Sequence, residues 1–100
     1  MNLFRLSILT PDKAVFEGNV KSLSMQGVQG DFTIMARHAP MVAASKAGVL
    51  RFEKSPDSLF FASSDSLVEV TSDRTVVMTD IAVQMPGLQE ARKKCRELFS

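Results

Sequence analysis

The sequence predicts a mainly β fold, an antiparallel β-sandwich or barrel followed by one short C-terminal α-helix. Two observations carry this prediction. Short apolar runs separated by turn-forming residues recur up to residue 85, and the spacing of the apolar residues changes after Pro86 and Gly87. Many short, evenly spaced strands are typical of all-β sandwiches and barrels. We therefore expect a sandwich domain over residues 1–85 and a helix within residues 86–100.

The first strands are predicted from an alternation and from a break in it. Phe4, Leu6 and Ile8 alternate with polar residues, which is the period-2 pattern of a half-buried strand. A second extended run follows a proline-containing turn, and its apolar phase shifts between Val20 and Leu23. Such a shift predicts a bulge or a bend at which the chain crosses from one sheet to the other.

The remaining strands are separated by loops rich in Gly, Pro, Ser and Asp. Gly27 and Gly30 flank the first of these loops and permit positive φ angles there. The next break is at Pro40, because the residue before a proline is driven away from helical geometry. The predicted strands lie at residues 32–35, 41–46, 49–52, 59–62, 67–70 and 75–78.

One apolar stripe predicts the C-terminal helix. Leu88, Ala91, Cys95 and Leu98 follow one another at steps of three and four, which places them on one helical face. A helix of about 12 residues is marginal in water on its own. We therefore expect this helix to pack on the sandwich or on a partner.

Composition and charge exclude several classes of protein. The 100 residues suffice for one domain, and 45% of them are hydrophobic. A net charge of +1, from 12 basic and 11 acidic residues, argues against a nucleic-acid binder and against a polybasic membrane anchor. Cys95 is the single cysteine, so an internal disulfide is impossible. No run approaches the ~20 apolar residues of a membrane span, and residues 1–5 (MNLFR) do not begin a signal peptide with a basic lead, an unbroken apolar run and a small-residue cleavage site. We therefore expect a soluble protein in a reducing compartment.

No group of residues makes a convincing catalytic or metal site. His38, the sole histidine, is a candidate general base or contact residue, but a structural loop histidine is the favoured interpretation. A triple of Ser64, His38 and Asp65 is expected by chance among many serines, and Ser64 lacks the glycines of a nucleophile elbow. The paired glycines lack the spacing of a phosphate-binding loop. The residues thus favour a binding or structural module with no cofactor, metal or small-molecule substrate.

The order of short motifs over nearly all of residues 3–95 resembles the epsilon subunits of F-type ATP synthases. The similar segments are residues 10–13 (TPDK), 15–18 (VFEG), 27–32 (GVQGDF), 38–41 (HAPM), 46–51 (KAGVLR), 64–70 (SDSLVEV) and 76–82 (VVMTDIA). The corresponding patterns of that family are TPEK, FEG, GxxG[ED][LF], GHAPL, KPGxLRI, SGGxxEV and VTVLADTA. The ordered set is far more specific than any one of its members.

The resemblance implies a flattened β-sandwich and a non-catalytic role in a rotor. One copy is expected to bind the gamma subunit and the polar loops of the membrane c-ring, and to contact the alpha/beta head only indirectly. The resemblance assigns to the c-ring side Gly27, Gln29, Gly30, Asp31 and Phe32. It assigns to the gamma side His38, Ala39, Pro40 and Met41. The implied location is the cytoplasmic face of the bacterial inner membrane, reached through the complex.

The chain also departs from the family pattern. Thr33, Ala36 and Arg37 stand where the family usually has Gly, Pro and Gly, so we expect a differently shaped loop before the HAPM segment. Asp65 and Ser66 replace a pair of glycines. These substitutions affect turns, where glycine has a conformational role.

The C-terminal part differs from that of many family members, which carry a two-helix hairpin able to extend into the head and inhibit ATP hydrolysis. Only one short helix fits before Ser100, so we expect no inhibition of that kind. Residues 88–93 (LQEARK) lack the Asp and the final Ala of the [IL]DxxRA motif through which some relatives bind ATP. We therefore expect no ATP binding.

Two other hypotheses remain open from the sequence. One is a stand-alone β-sandwich adaptor derived from this subunit, which the lost glycines and the short C-terminal part favour. The other is a small hydrolase that uses His38. Both are weaker than a rotor subunit that couples gamma to the c-ring.

Overall fold

The strands of the sandwich follow one another along the chain with short connections. The computed structural model describes residues 2–27 and 30–99. Over these residues the elements are β1 (Phe4–Leu9), β2 (Ala14–Val20), β3 (Ser22–Gly27), β4 (Gly30–Met35), β5 (Met41–Ser45), β6 (Gly48–Lys54), β7 (Asp57–Ser63), β8 (Ser66–Val70), β9 (Arg74–Thr79), β10 (Ala82–Met85) and α1 (Leu88–Phe99). The prediction of a mainly β fold with one C-terminal helix is confirmed.

The strands form one continuous sheet that curls into a nearly closed barrel. Its order is β10-β7-β6-β3-β5-β8-β9-β1-β2, with β4 paired to β3 beside this path. Among the described strands the pairs are antiparallel, except that β1 and β9 run parallel. A parallel pair needs a long connection. Here the chain passes through strands β2 to β8 between the two paired strands. The sequence pattern did not predict this pairing.

The bend predicted between Val20 and Leu23 is confirmed. Strand β2 ends at Val20, and β3 begins at Ser22 after a single intervening residue. The two strands then pair with different neighbours, β2 with β1 and β3 with β4 and β6. The amide of Lys21 donates a hydrogen bond to the carbonyl of Glu53, 2.7 Å away, so the bend is anchored on β6. This bend carries the chain from one end of the sheet toward the other.

The core is built from the inward-facing residues at alternate positions along the strands. Apolar side chains of most strands meet there, and their transfer from water is the main stabilising contribution. The core cluster is Leu6, Ile8, Val20, Leu23, Met25, Ile34, Leu50, Phe52, Phe61, Val68, Val70 and Val77.

The helix lies on the outside of the barrel, where it contacts β6, β7 and β10. Ala91 is buried and Leu88 and Cys95 are half-buried, so most of the predicted stripe is confirmed. Leu98 is 48% exposed, and Phe99 is half-buried instead. The stripe thus continues at a step of four after Cys95, because the position of the helix on the barrel decides which face is covered.

Strand β10 is an element that the sequence did not identify separately. Ala82, Val83 and Met85 are half-buried, whereas Gln84 is exposed. The strand pairs antiparallel with β7 and forms one end of the sheet. Four residues with weak alternation carry little signal of their own.

Candidate partner-binding surfaces

The hairpin of β3 and β4 positions the residues assigned to the c-ring side. Gly27 and Gly30 face each other across its tip, and Gly30 has a φ angle of 131°, which favours glycine. A side chain on Gly27 would collide with neighbours, since its Cβ would lie 2.6 Å from the carbonyl oxygen of Gly30. Gln29, also assigned to this side, lies outside the described residues. The structure therefore explains Gly27 by the close approach of the Gly30 carbonyl and Gly30 by its positive φ angle.

Two side chains of this hairpin have different environments. Asp31 is exposed and is paired across the ladder with Gln26, so its carboxylate is available to a partner. Phe32 is half-buried and packs against the core. The hairpin thus presents one charged group on a base that the core holds in place.

The segment assigned to the gamma side connects β4 to β5. The amide of His38 donates to the carbonyl of Met35 at 3.2 Å, and the Nδ1–H of its ring donates to the carbonyl of Ala39 at 2.7 Å. Ala39 and Pro40 are exposed, whereas Met41 is half-buried against the core. The histidine is therefore held by local backbone contacts, in keeping with its interpretation as a structural loop residue.

One residue of the gamma-side segment shares a groove with the β3–β4 hairpin. A groove of about 600 Å³ is lined by the hairpin residues Gly27, Gly30, Asp31 and Phe32 and by the first four residues of β5, 41–44. Met41 therefore lies beside the hairpin that was assigned to the other partner. The preceding residues 38–40 do not line this groove.

A second surface, which the sequence analysis missed, crosses four strands on the outer face of the barrel. Ala44 of β5 pairs with Leu67 of β8, Leu67 pairs with Met78 of β9, and Met78 pairs with Leu9 of β1. Residues paired in register point to the same face, so these four form one line, the apolar row. Leu67 is 44% exposed and Met78 is 40% exposed. Val42, which lies beside the row on β5, is 66% exposed.

The apolar row is unusual because strands of a half-solvated sheet normally place polar residues outward. In β8 the inward residues Val68 and Val70 are buried, whereas Leu67 lies in the outward phase together with Glu69. The signal in the sequence was thus an apolar residue in the outward phase of a strand. Contiguous exposed apolar surface marks interaction sites.

The residues considered for catalysis are not assembled into a site. The hydroxyl of Ser64 lies 2.8 Å from the Thr79 hydroxyl and accepts from the amide of Ile81. Asp65 accepts from the amide of Ala47 at 2.7 Å. The hydrogen bonds of His38 go instead to the backbone of its own loop. The described residues contain no group of three His, Cys, Asp or Glu side chains able to hold a metal ion.

Residues of the segment that was compared with an ATP-binding motif line one groove. Leu88 and Arg92 line a groove of about 640 Å³ together with Arg51 of β6 and Arg96. Its other walls come mainly from β3 and β4. The absence of ATP binding stays a prediction.

Within the part of the chain that is described, no helix has the length and apolar character needed to cross a bilayer.

Comparison with known proteins identifies the family. The family model described as ATP synthase, Delta/Epsilon chain, beta-sandwich domain matches residues 3–85. An ATP synthase epsilon chain of Sulfurovum sp. is 31% identical, over 99% of this chain and 81% of that protein. An ATP synthase epsilon chain of Desulforamulus reducens is 34% identical, over 90% of this chain and 68% of that protein.

Two solved structures share the fold. A chain of the Euglena gracilis mitochondrial ATP synthase superposes with a TM-score of 0.78 at 17% identity, covering 84% of this chain and 54% of its own length. A chain from the central stalk and c-ring of the Tetrahymena thermophila mitochondrial ATP synthase gives a TM-score of 0.69 at 13% identity, covering 94% of this chain and 88% of that one. At these identities the likeness shows the fold. The family model and the bacterial relatives carry the family assignment, and this chain belongs to the epsilon chains of the ATP synthase delta/epsilon family.

Proposed function

We propose that this chain is a central-stalk subunit of an F-type ATP synthase that couples the gamma subunit to the c-ring. The observation that carries the proposal is the apolar row, an exposed apolar surface on a chain of the epsilon family. The chain makes and breaks no bonds in this role. It transmits rotation by holding two partners at once.

The apolar row is the surface that we assign to gamma. Leu67 and Met78 form its centre, and Val42 extends it toward the exposed Ala39 and Pro40. Burying an exposed Leu or Met side chain fully contributes about 1.5–3 kcal/mol, so covering these partly exposed residues contributes about 1 kcal/mol each. The gamma-side residues inferred from the resemblance thus lie next to an apolar surface whose burial would itself favour protein binding.

The β3–β4 hairpin is the surface that we assign to the c-ring. Asp31 gives it an exposed charge suited to the polar loops of the ring. The pairing of Gln26 with Asp31 and of Gly27 with Gly30 continues the β3–β4 ladder, so the charged group is held on the sheet. Because the groove between the hairpin and β5 joins the two surfaces, the partners are expected to contact neighbouring parts of one rigid body.

Transmission of torque requires a body that does not deform under load. Phe16 of β2 and Phe52 of β6 are in ring contact, which ties one end of the sheet to a strand near the other end. Close-packed protein interiors have low compressibility. A barrel closed in this way suits a coupling element that is turned by one partner and turns another.

The proposal also concerns location. Membership of the family makes the chain part of a membrane-bound complex. We place it on the cytoplasmic face of a bacterial cell membrane, which the bacterial origin of its relatives supports. In this arrangement the chain is attached to the membrane through its partners.

Binding to purified gamma subunit and c-ring from the same organism tests the proposal. We expect the chain to bind gamma, and Leu67→Asp to weaken that binding by at least about tenfold, because a carboxylate would be buried in an apolar contact. Leu98→Asp, at a comparably exposed leucine on the helix, is the matched control and should bind as the wild type does. A wild-type chain that binds neither gamma nor the ring would instead support the adaptor hypothesis.

A further inference from the structure

Three of the four residues of the apolar row line a groove that has two kinds of wall. The groove measures about 560 Å³ and lies between the β1–β2 turn and strands β8 and β9. Its apolar wall consists of Leu9, Pro11, Leu67 and Met78, and the last two are the centre of the row. Asp65 and Asp80 also line it. The groove therefore joins an apolar surface directly to a pair of carboxylates.

Among the ion pairs of the described residues, none involves either carboxylate. These ion pairs join Arg5 to Glu17 and Lys94 to Glu97. Both aspartates are exposed, and the described residues that line the groove include no lysine or arginine. Asp65 is held in place by the hydrogen bond from the amide of Ala47. The groove thus carries a fixed negative charge.

The same two carboxylates also line a smaller groove. This second groove, about 270 Å³, is bordered by Ala47, Ser64 and Phe99 together with Asp65 and Asp80. The two aspartates therefore line both grooves and lie between them. Asp65 occupies a position where the family pattern has glycine, so one of the two charges distinguishes this chain.

We infer that the acidic side of this groove receives a lysine or arginine side chain of the gamma subunit. Long basic side chains pack their methylene stems on apolar surface while the charged head stays at a polar site. A groove lined both by Leu67 and Met78 and by two carboxylates complements such a side chain. The inference rests on the proposed function, and it adds that the side chain of gamma bound in the groove is positively charged. It makes Asp65 and Asp80 determinants of which gamma subunit this chain accepts.

Removing the two charges without removing the hydrogen-bond acceptors tests the inference. The variants are Asp65→Asn, Asp80→Asn and the double variant, and their affinity for the gamma subunit is measured by calorimetry at several NaCl concentrations. The side-chain amide introduced by Asp65→Asn keeps an oxygen that can accept from the amide of Ala47, so the local structure should persist. We expect about a fivefold loss of affinity for each substitution and a weaker salt dependence in the double variant.

Matched controls and outcomes separate this inference from the proposed function. Asp57→Asn and Asp73→Asn neutralise exposed carboxylates that do not line the groove, and they should leave the affinity for gamma unchanged. If Leu67→Asp weakens binding while the double Asn variant keeps wild-type affinity and salt dependence, the inference is wrong and the proposed function stands. If the wild type does not bind gamma, both are wrong. Binding lost in Asp80→Lys and restored by a gamma variant of reversed charge would support the inference and identify the basic residue.

Discussion

The ring of Phe52 lies 4.5 Å from the ring of Phe16, centroid to centroid, although the strands that carry them share no ladder. Phe16 belongs to β2, one end of the sheet, and Phe52 belongs to β6, near the other end. Phe52 also stacks on Phe61 at 5.7 Å. One buried ring therefore joins the two ends of the sheet and closes the barrel through side chains rather than through backbone pairing.

Truncating Phe52 and Phe16 to alanine should distinguish the contribution of core packing to stability from the contribution of barrel closure. Phe52→Ala is expected to lower the free energy of unfolding by about 3–5 kcal/mol, because the ring is fully buried. Phe16→Ala should cost less, since its ring is half-buried, and should increase amide hydrogen exchange mainly in β1 and β2. Phe60→Ala, half-buried on β7, is the control. Unchanged exchange in β2 after Phe16→Ala would show that this contact does not close the barrel.

The loop before His38 provides a test of backbone strain. Arg37 has a φ angle of 66°, the left-handed region that glycine adopts without penalty and other residues adopt at a cost of about 1–2 kcal/mol. We expect Arg37→Gly to raise the free energy of unfolding by about 0.5–1 kcal/mol, because the greater entropy of glycine in the unfolded chain offsets part of the relieved strain. Urea unfolding measures the change.

Arg37→Ala is the control for this prediction, since it removes the side chain but keeps the conformational cost. It should not stabilise the chain. If both variants gave the same increase, the effect would come from loss of the arginine side chain. The sequence predicted a differently shaped loop at this point, yet Arg37 keeps a backbone conformation suited to the glycine of the family pattern.

The tip of the β3–β4 hairpin should tolerate alanine poorly for two different reasons. Gly27→Ala would place a Cβ 2.6 Å from the carbonyl oxygen of Gly30, and we expect a cost of about 1–3 kcal/mol. Gly30→Ala meets no atom, but its φ of 131° is unsuited to alanine and should cost about 1–3 kcal/mol. Both changes are measured by urea unfolding.

Gly18→Ala is the comparison for both hairpin variants. Its Cβ would approach the tip of the Phe16 ring at 3.0 Å, and a ring can move aside where a carbonyl oxygen cannot. We therefore expect a smaller loss of stability than for either hairpin glycine. Equal stability of all three variants would contradict both reasons, the collision at Gly27 and the positive φ at Gly30.

The sequence predicted the strands whose own alternation marks them, such as β1 with Leu6 and Ile8 inside. It could not predict pairings between distant strands, and the parallel contact of β1 with β9 has no local signal. The apolar row was missed for a related reason. Leu67 and Met78 lie in strands that also carry buried valines, so only the three-dimensional register shows that they line up outside.

The thiol of Cys95 makes the stability of the folded chain depend on pH at alkaline pH. Burial of this side chain on the helix raises its pKa, and the backbone of Ser63 and the positive charge of Arg96 oppose the shift only in part. In the unfolded chain the pKa returns to about 8.5. Above that pH the folded state binds more protons than the unfolded state, so the contribution of the thiol to stability is present at lower pH and is lost as pH rises through the folded pKa.

We therefore expect the free energy of unfolding of the wild type, minus that of Cys95→Ala, to decrease once the pH exceeds about 8. Urea unfolding of both proteins over a series of alkaline pH values measures this difference. Titrating groups that are common to the two proteins cancel in it. A difference independent of pH would show that burial does not hold the thiol in its neutral form.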